Sequence, residues 1–306
     1  MPAGPAGSGP PVLVREVRPA DAPAVVALRA AVHPYLVRGV EATRRTIVDP
    51  PPGMDRAALV AEVAGEVVGW VSAYRNPSSG GGEMSVLDVH PDRRRQGVGS
   101  ALLEGALAHL TTLGVPRIRA WSLPEALPFA ERHGFTPSRP VRYSGLDLRP
   151  VPPDPAVGAG VALLPVAELD PYRLYQADEA TAGDVPGDVP SNGMTYEFWR
   201  YDVWTDPGLD RQVSTAVTVD GELAAFSLVQ RDGDRMWSDY TATVPPYRGR
   251  GLARLAKQAA LHRAAATGIR AAYTSNDEAN APMLAINTRL GYRPVATHWS
   301  VLRDLT

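Results

Sequence analysis

Apolar and polar positions alternate over residues 12–17, which predicts a strand, and Pro19-Ala-Asp-Ala-Pro23 then opens an alanine-rich helix that runs to about His33. Residues 39–55 are polar and interrupted by prolines, the pattern of a short helix and a loop. Residues 59–63 and 67–74 are strand-like and joined by Ala64-Gly65-Glu66, which predicts a hairpin. The glycine-rich residues 78–82 read as a mobile loop and 83–89 as the next strand. From Ser100 to about Leu113, Leu102, Leu103, Ala106, Leu107 and Leu110 share one helical face, and Gly114 ends the helix. A strand at 117–121, a helix at 124–133 stopped by Gly134-Phe135, and a closing strand at 141–148 complete one domain. Residues 149–160 are the most proline-dense stretch and read as a semi-rigid linker.

The same signals then return in the same order. The turn Gly65-Glu66 matches Gly221-Glu222, while Gly97, Gly99 and Gly114 match Gly251, Ala253 and Gly268, each 154 positions on. Gly134-Phe135 matches Gly291-Tyr292. Anchors in one order at a nearly constant offset identify a tandem duplication: a domain over 12–149, a linker over 150–160, a second domain over 161–306. Residues 182–210 are an insertion of the second half. Its aromatic segment, Met194-Thr-Tyr-Glu-Phe-Trp-Arg200 with Trp204, either covers a pocket or packs into the core.

Composition narrows the chemistry. The 306 residues suffice for two ordinary cores, and a net charge of -2 offers no global attraction to nucleic acid or to an anionic membrane. With no cysteine, thiolate nucleophiles and disulfides are excluded, and the six scattered histidines lack metal-ligand spacing, so no metal is expected. Residues 1–11 lack the layout of a secretory signal and read as a disordered tail. No apolar run is long enough to span a membrane, and a cytoplasmic protein is the expectation. Lys257 is the single lysine, a bias that reads as that of a GC-rich genome.

Two stretches carry recognition chemistry. Val244-Pro-Pro-Tyr-Arg248-Gly249-Arg250-Gly251-Leu252-Ala253 is the end of a strand, a glycine-bearing loop and the first turn of a helix; Val89 to Ser100, with Arg94-Arg95-Gln96-Gly97-Val98-Gly99, is its earlier copy. Glycines let the backbone approach a ligand, the first amides of a helix lack partners, and the helix dipole with the arginines favours an anion, so a diphosphate is the expected guest. A Walker loop needs a terminal Gly-Lys-[Ser/Thr], and the dinucleotide pattern fails at Leu102 and Arg254, which disfavours ATP and NAD.

On these motifs both halves resemble the GNAT superfamily of N-acetyltransferases, over nearly all of residues 12–306. The resemblance implies an α/β fold of two tandem domains, each a mixed, mostly antiparallel sheet flanked by helices with a splayed parallel strand pair. It also implies acetyl-CoA held at both loops, and Asn276, Asn280 and Asn287 along its pantetheine and adenosine; Asn276 reads equally as a helix cap. The implied reaction is direct attack of a small amine on the thioester in a ternary complex, with backbone donors near Val89 or Thr243 polarising the carbonyl. Candidate bases are Glu83 and Asp88 in the first half and Asp239 in the second, each also an ordinary strand-end carboxylate. The tyrosine that the family often places before the last helix's glycine is Ala130 in one half and Asn287 in the other, leaving Tyr240 and Tyr292 as weaker candidate acids, with Tyr273 behind them. The fuller motifs of the second half point to it as the catalytic copy, the first being degenerate or regulatory; a non-catalytic acyl-CoA sensor is the alternative. The unit expected is a monomer that forms an internal pseudo-dimer, or a homodimer.

Overall fold

The structure is a computed structural model and describes residues 11–51, 53–77, 79–188 and 193–305. The expected tail over 1–10, Ser78 of the glycine-rich loop and residues 189–192 of the insertion lie outside the described residues. The first half runs β1 (Leu13–Glu16), α1 (Ala22–Val32), α2 (Val40–Val48), β2 (Ala57–Val63), β3 (Glu66–Arg75), β4 (Gly82–Met84), β5 (Asp88–Val89), α3 (Val98–Thr112), β6 (Arg117–Ser122), α4 (Leu127–Arg132) and β7 (Thr136–Asp147). After a segment without helix or strand, the second runs β8 (Val161–Pro165), α5 (Pro171–Glu179), α6 (Tyr196–Trp199), a π-helical turn (Arg200–Trp204), β9 (Thr215–Val219), β10 (Glu222–Asp232), β11 (Arg235–Thr243), α7 (Leu252–Ala266), β12 (Ala271–Asp277), α8 (Ala281–Arg289) and β13 (Arg293–Asp304).

The duplication is visible in the register. In the first half β4 pairs with β6 in parallel at Gly82↔Ile118, and in the second β11 pairs with β12 in parallel at Met236↔Ala272, each residue 154 positions from its counterpart. The other ladders among the described residues are antiparallel. Helix α3 lies close on β3, because Gly69 has no side chain: a Cβ there would come within 2.7 Å of Leu102 and 2.9 Å of Val98. Of the expected helical face, Leu102, Leu103, Ala106 and Leu110 are buried in the first-half core and Leu107 is partly buried against it.

Two expectations are corrected. The strand foreseen over 83–89 is broken: the chain leaves β4 after Met84 and rejoins β3 at Asp88, so four steps along one strand span three along its neighbour. The strand expected to close the first domain closes the other one. The sheet order is β1-β2-β3-β4-β6-β13-β7-β12-β11-β10-β9-β8, so β7 pairs with β12 and the chain's last strand, β13, pairs with β6. Periodicity reports which residues of a strand are buried and says nothing of which neighbour it meets.

Side-chain contacts cross between the halves along the exchanged strands. From β7, Arg142 forms a two-pronged bond to Glu278 at 2.8 and 2.6 Å, and Arg139 reaches Asp277 and, at 3.1 Å, Asp188, all second-half acids. From β13, Val301 is buried in the first-half core and Arg303 donates to the His133 carbonyl at 2.9 Å. Each half alone therefore lacks a strand of its own sheet. We expect residues 11–155 and 156–306 expressed separately to aggregate or self-associate, and to co-purify in equal amounts when co-expressed. A soluble monomer of either piece, by size-exclusion chromatography, would contradict the exchange.

Candidate functional site

Each glycine-bearing loop is shaped by left-handed residues before its helix. Arg95 and Gly97 have φ of 64° and 84° in the first copy, Gly249 and Gly251 76° and 74° in the second. A Cβ added at Gly97, Gly249 or Gly251 meets nothing within 4 Å. Backbone conformation and not packing therefore calls for glycine there, and the space above the loop is free for a ligand. The two helix starts, Val98 and Leu252, bury their side chains, and the first amides of an α-helix have no partner within it. These features fit a diphosphate.

Around the first loop lies a cleft of about 530 Å³. Val89, Arg94, Arg95, Gly97, Gly99 and Ser100 line it, with Leu103, Trp121 and Phe129 forming apolar walls. Gln96 does not line it; its amide donates to the Asp92 carbonyl at 3.1 Å. Val301 of the exchanged β13 completes the wall, so the second half contributes to the cleft of the first.

Around the second loop, Arg248 pairs with Asp184 at 2.6 Å and Arg250 lies 6.0 Å from the Tyr247 ring. Thr243 pairs with Ala225 at the end of β11, Val244 donates to the Ala224 carbonyl at 2.9 Å, and half-buried Ala253 follows Leu252 in α7. The parallel ladder stops at Trp237↔Tyr273, and the Thr274 hydroxyl bonds the Ser238 carbonyl at 2.9 Å where the strands part. The register of β11 against β10 slips just beyond: Ser238 faces Val229 and Thr241 faces Ser227. Three steps against two make a bulge at Asp239-Tyr240, the counterpart of the break at Ser85 to Leu87. Bulges of this kind re-aim side chains beside active sites.

The bulge places Asp239 where the first half has Ser85. The residue keeps an exposed face, yet desolvation by the protein packed around it, with the acids Asp202 and Asp206, pushes its pKa up to about 6. Gln230 donates to it at 3.4 Å. The first-half acids are otherwise engaged. Glu83 is buried and bound by Arg119 at 2.8 Å and by Asn76 at 3.2 Å, and burial is the larger influence, raising its pKa. Asp88 is fully buried with His33 Nε2 2.7 Å away.

The tyrosines and asparagines bond within the protein. Tyr240 donates to the Thr181 carbonyl at 2.9 Å, and burial pushes its pKa up to about 12; Tyr292 meets the Ser238 hydroxyl at 3.0 Å and is likewise shifted upward by burial. Tyr273 lies on β12 with the Arg235 guanidinium 5.2 Å from its ring centre. Asn287 donates to Asn276 at 2.6 Å, and Asn280 caps α8 by accepting from the Met283 amide. The helix cap is thus Asn280 and not Asn276.

Three groups escaped the sequence reading. A buried chain runs from Asp88 through His33 and Tyr35, whose hydroxyl is 2.7 Å from Nε2 of His298 on β13. His298 is pushed down to about 3 by burial and by His33. Lys257, the single lysine, is buried in α7 with its ammonium nitrogen 5.0 Å from the Tyr292 ring centre. Its singularity was the available signal. The third is a cavity of about 230 Å³ between α1, α2 and the second half's π-helical turn, lined by Arg29, Arg38, Arg45 and Arg56. The density of arginine over residues 29–56 was its trace in the sequence.

Two diphosphate-type loops on a parted parallel strand pair, repeated along one chain, define a tandem acyltransferase fold. The sequence model of the acetyltransferase (GNAT) family matches residues 29–135 and 175–292, and the chain belongs to that family as an N-acetyltransferase. It is similar to the mycothiol acetyltransferase of Beutenbergia cavernae, 30% identical over 280 residues that cover 85% of this chain and 89% of that protein. It is also similar to that of Catenulispora acidiphila, 27% identical over 241 residues, 74% of each. Among solved structures, a tandem GNAT protein from the clavulanic acid biosynthesis pathway superposes with a TM-score of 0.74 at 21% identity, over 96% of this chain and 98% of that one. A GCN5-related N-acetyltransferase from Sphaerobacter thermophilus gives 0.73 at 22%, over 96% and 95%. At such identities these structures establish the fold alone. No helix among the described residues is long and apolar enough to cross a membrane.

Burial makes Lys257 a test of the second-half core. Desolvation lowers its pKa from 10.5 to about 7, so the unfolded chain holds a proton that the folded one does not between those values, and stability rises with pH across that window. We expect Lys257→Met to stabilise the protein by a few kcal/mol near pH 7, the gain shrinking toward pH 10.5, as read by urea unfolding at both ends of the window. A constant difference would contradict the buried, depressed amine.

Proposed function

We propose that the protein transfers an acetyl group from acetyl-CoA directly to a small amine in a ternary complex, with the chemistry in the second half. Asp239 carries this reading: it is a carboxylate at the bulge before the second loop, with its pKa raised to about 6, where the first half has the serine Ser85. Acetyl-CoA supplies the acetyl group activated as a thioester. Family members generally use it, and the loops fit its diphosphate through Gly97 and Gly251 with their flanking arginines.

A base near 6 remains ionised at neutral pH and still accepts a proton from an acceptor ammonium, directly or through water. Asp239 has that role. Glu83, held by Arg119, and Asp88, buried against His33, serve structure, and no proton donor is assigned, since the Tyr240 and Tyr292 hydroxyls bond Thr181 and Ser238. The first half keeps the cleft but offers no carboxylate at its strand break, which supports acyl-CoA binding without turnover.

Acetyl transfer to amines, followed by thiol release, should rise with pH through about 6 and then level off. Asp239→Asn should remove that limb and lower kcat by about 100-fold. Gly251→Asp, placing a charge in the loop, should abolish turnover while Gly97→Asp removes one of two bound coenzyme molecules by native mass spectrometry and spares turnover. The reverse pattern would move the chemistry to the first half.

A further inference from the structure

The arginine-lined cavity is separate from the coenzyme cleft, and the two share only Ser85 at the first-half strand break. Its volume, about 230 Å³, falls below the roughly 300–1,000 Å³ of pockets that take whole drug-sized ligands. It suits a small group. Four guanidinium groups line it against two carboxylates, Asp202 and Asp206, so the lining is net cationic.

The cations are unequally answered. Arg38 is engaged, donating to Thr46 at 2.8 Å and lying 3.4 Å from Asp206. Arg45 donates to Thr205 at 2.8 Å and stacks 3.9 Å over the Tyr201 ring. Arg29 has only Asp88, at 3.6 Å, too long for a hydrogen bond. Arg56 meets neutral neighbours: Ser72 at 3.2 Å, the Met54 sulfur at 3.8 Å and the Tyr74 face at 4.5 Å. The Nε atoms of Arg29 and Arg56 and the Thr43 hydroxyl are buried without a hydrogen-bond partner among the described residues. Burial lowers the pKa of both arginines, the mark of desolvated cations not fully compensated. A guanidinium is rarely buried unless an anion answers it, and its planar fork matches an oxyanion.

We propose that this cavity binds a small oxyanion, a phosphate or carboxylate group, between α1 and α2 of the first half and the π-helical turn of the second. Both halves build the site: Arg56, which hydrogen-bonds no acid among the described residues, and Arg29, offset by Asp88 at 3.6 Å, supply the incompletely answered charge, while Tyr201 and Asp206 hold Arg45 and Arg38 in place. Two sources share this chemistry, the anionic group of an acceptor amine and a free anion. Only the first source rests on the acetyltransferase reading; binding itself does not.

Calorimetric titration with inorganic phosphate tests the site without turnover. Saturation with a Kd of about 10 mM or tighter, weakened at least about tenfold in Arg56→Gln at an unchanged melting temperature, is the expected result. Should Arg56→Gln fail to fold, Arg45→Gln, which alters a half-buried arginine, carries the same comparison. Absence of saturation, or equal binding by wild type and variant, overturns the proposal. Acetylation of 2-aminoethyl phosphate against ethanolamine then separates the sources. A lower KM for the phosphate-bearing amine, lost in Arg56→Gln, assigns the anion to the acceptor; binding of phosphate with equal KM values assigns it to a free anion, and either outcome presupposes the site.

Discussion

Each half of this protein is completed by a strand of the other, and that exchange constrains the rest. A sheet edge exposes a row of unpaired amides and carbonyls, so β6 and β12 each need a neighbour. Here β13 and β7 supply them crosswise and also pair with each other, which fuses two sheets into one. The two parted strand pairs are thereby held on a single twisted surface with two strands between them. Val301 shows the consequence for the site: a residue of the last strand buries itself in the first-half core and lines the first-half cleft.

The duplication kept geometry and let chemistry diverge. The loops share their left-handed residues, and both strands leading into them carry an irregularity at corresponding positions. The side chains at those positions differ: Ser85 against Asp239, Leu103 against Lys257, Phe135 against Tyr292. Backbone shape suffices to cradle a diphosphate, whereas proton transfer needs a particular group in a particular field. The insertion unique to the second half adds a further asymmetry, since Tyr201, Asp202 and Asp206 close a cavity whose floor belongs to the first half.

Much of this was legible in the order of residues. The hairpins, the faces of α3 and the glycine terminators follow from local rules, and a repeat of such signals marks a duplication without knowledge of any contact. The loops were legible because left-handed backbone nearly requires glycine, and Gly97, Gly249 and Gly251 advertise it. Of the two readings of the aromatic segment, packing into the core is the one found, with Trp199 fully buried and Met194, Tyr196 and Trp204 against it, while Tyr201 of the following turn lines the cavity.

Sequence alone determined what depends on near neighbours: most of the elements, the repeat, the glycine-bearing loops and the family. Tertiary structure decided what depends on distant partners. The pairing of β7 with β12 joins residues more than 120 positions apart, with Arg142 and Glu278 136 apart, and no local pattern encodes a pairing at that distance. The pKa of Asp239 depends on Asp202 and Asp206, and the fate of four arginines on which of them meets an acid. Charge interacts through space, so its consequences appear only when the chain has folded.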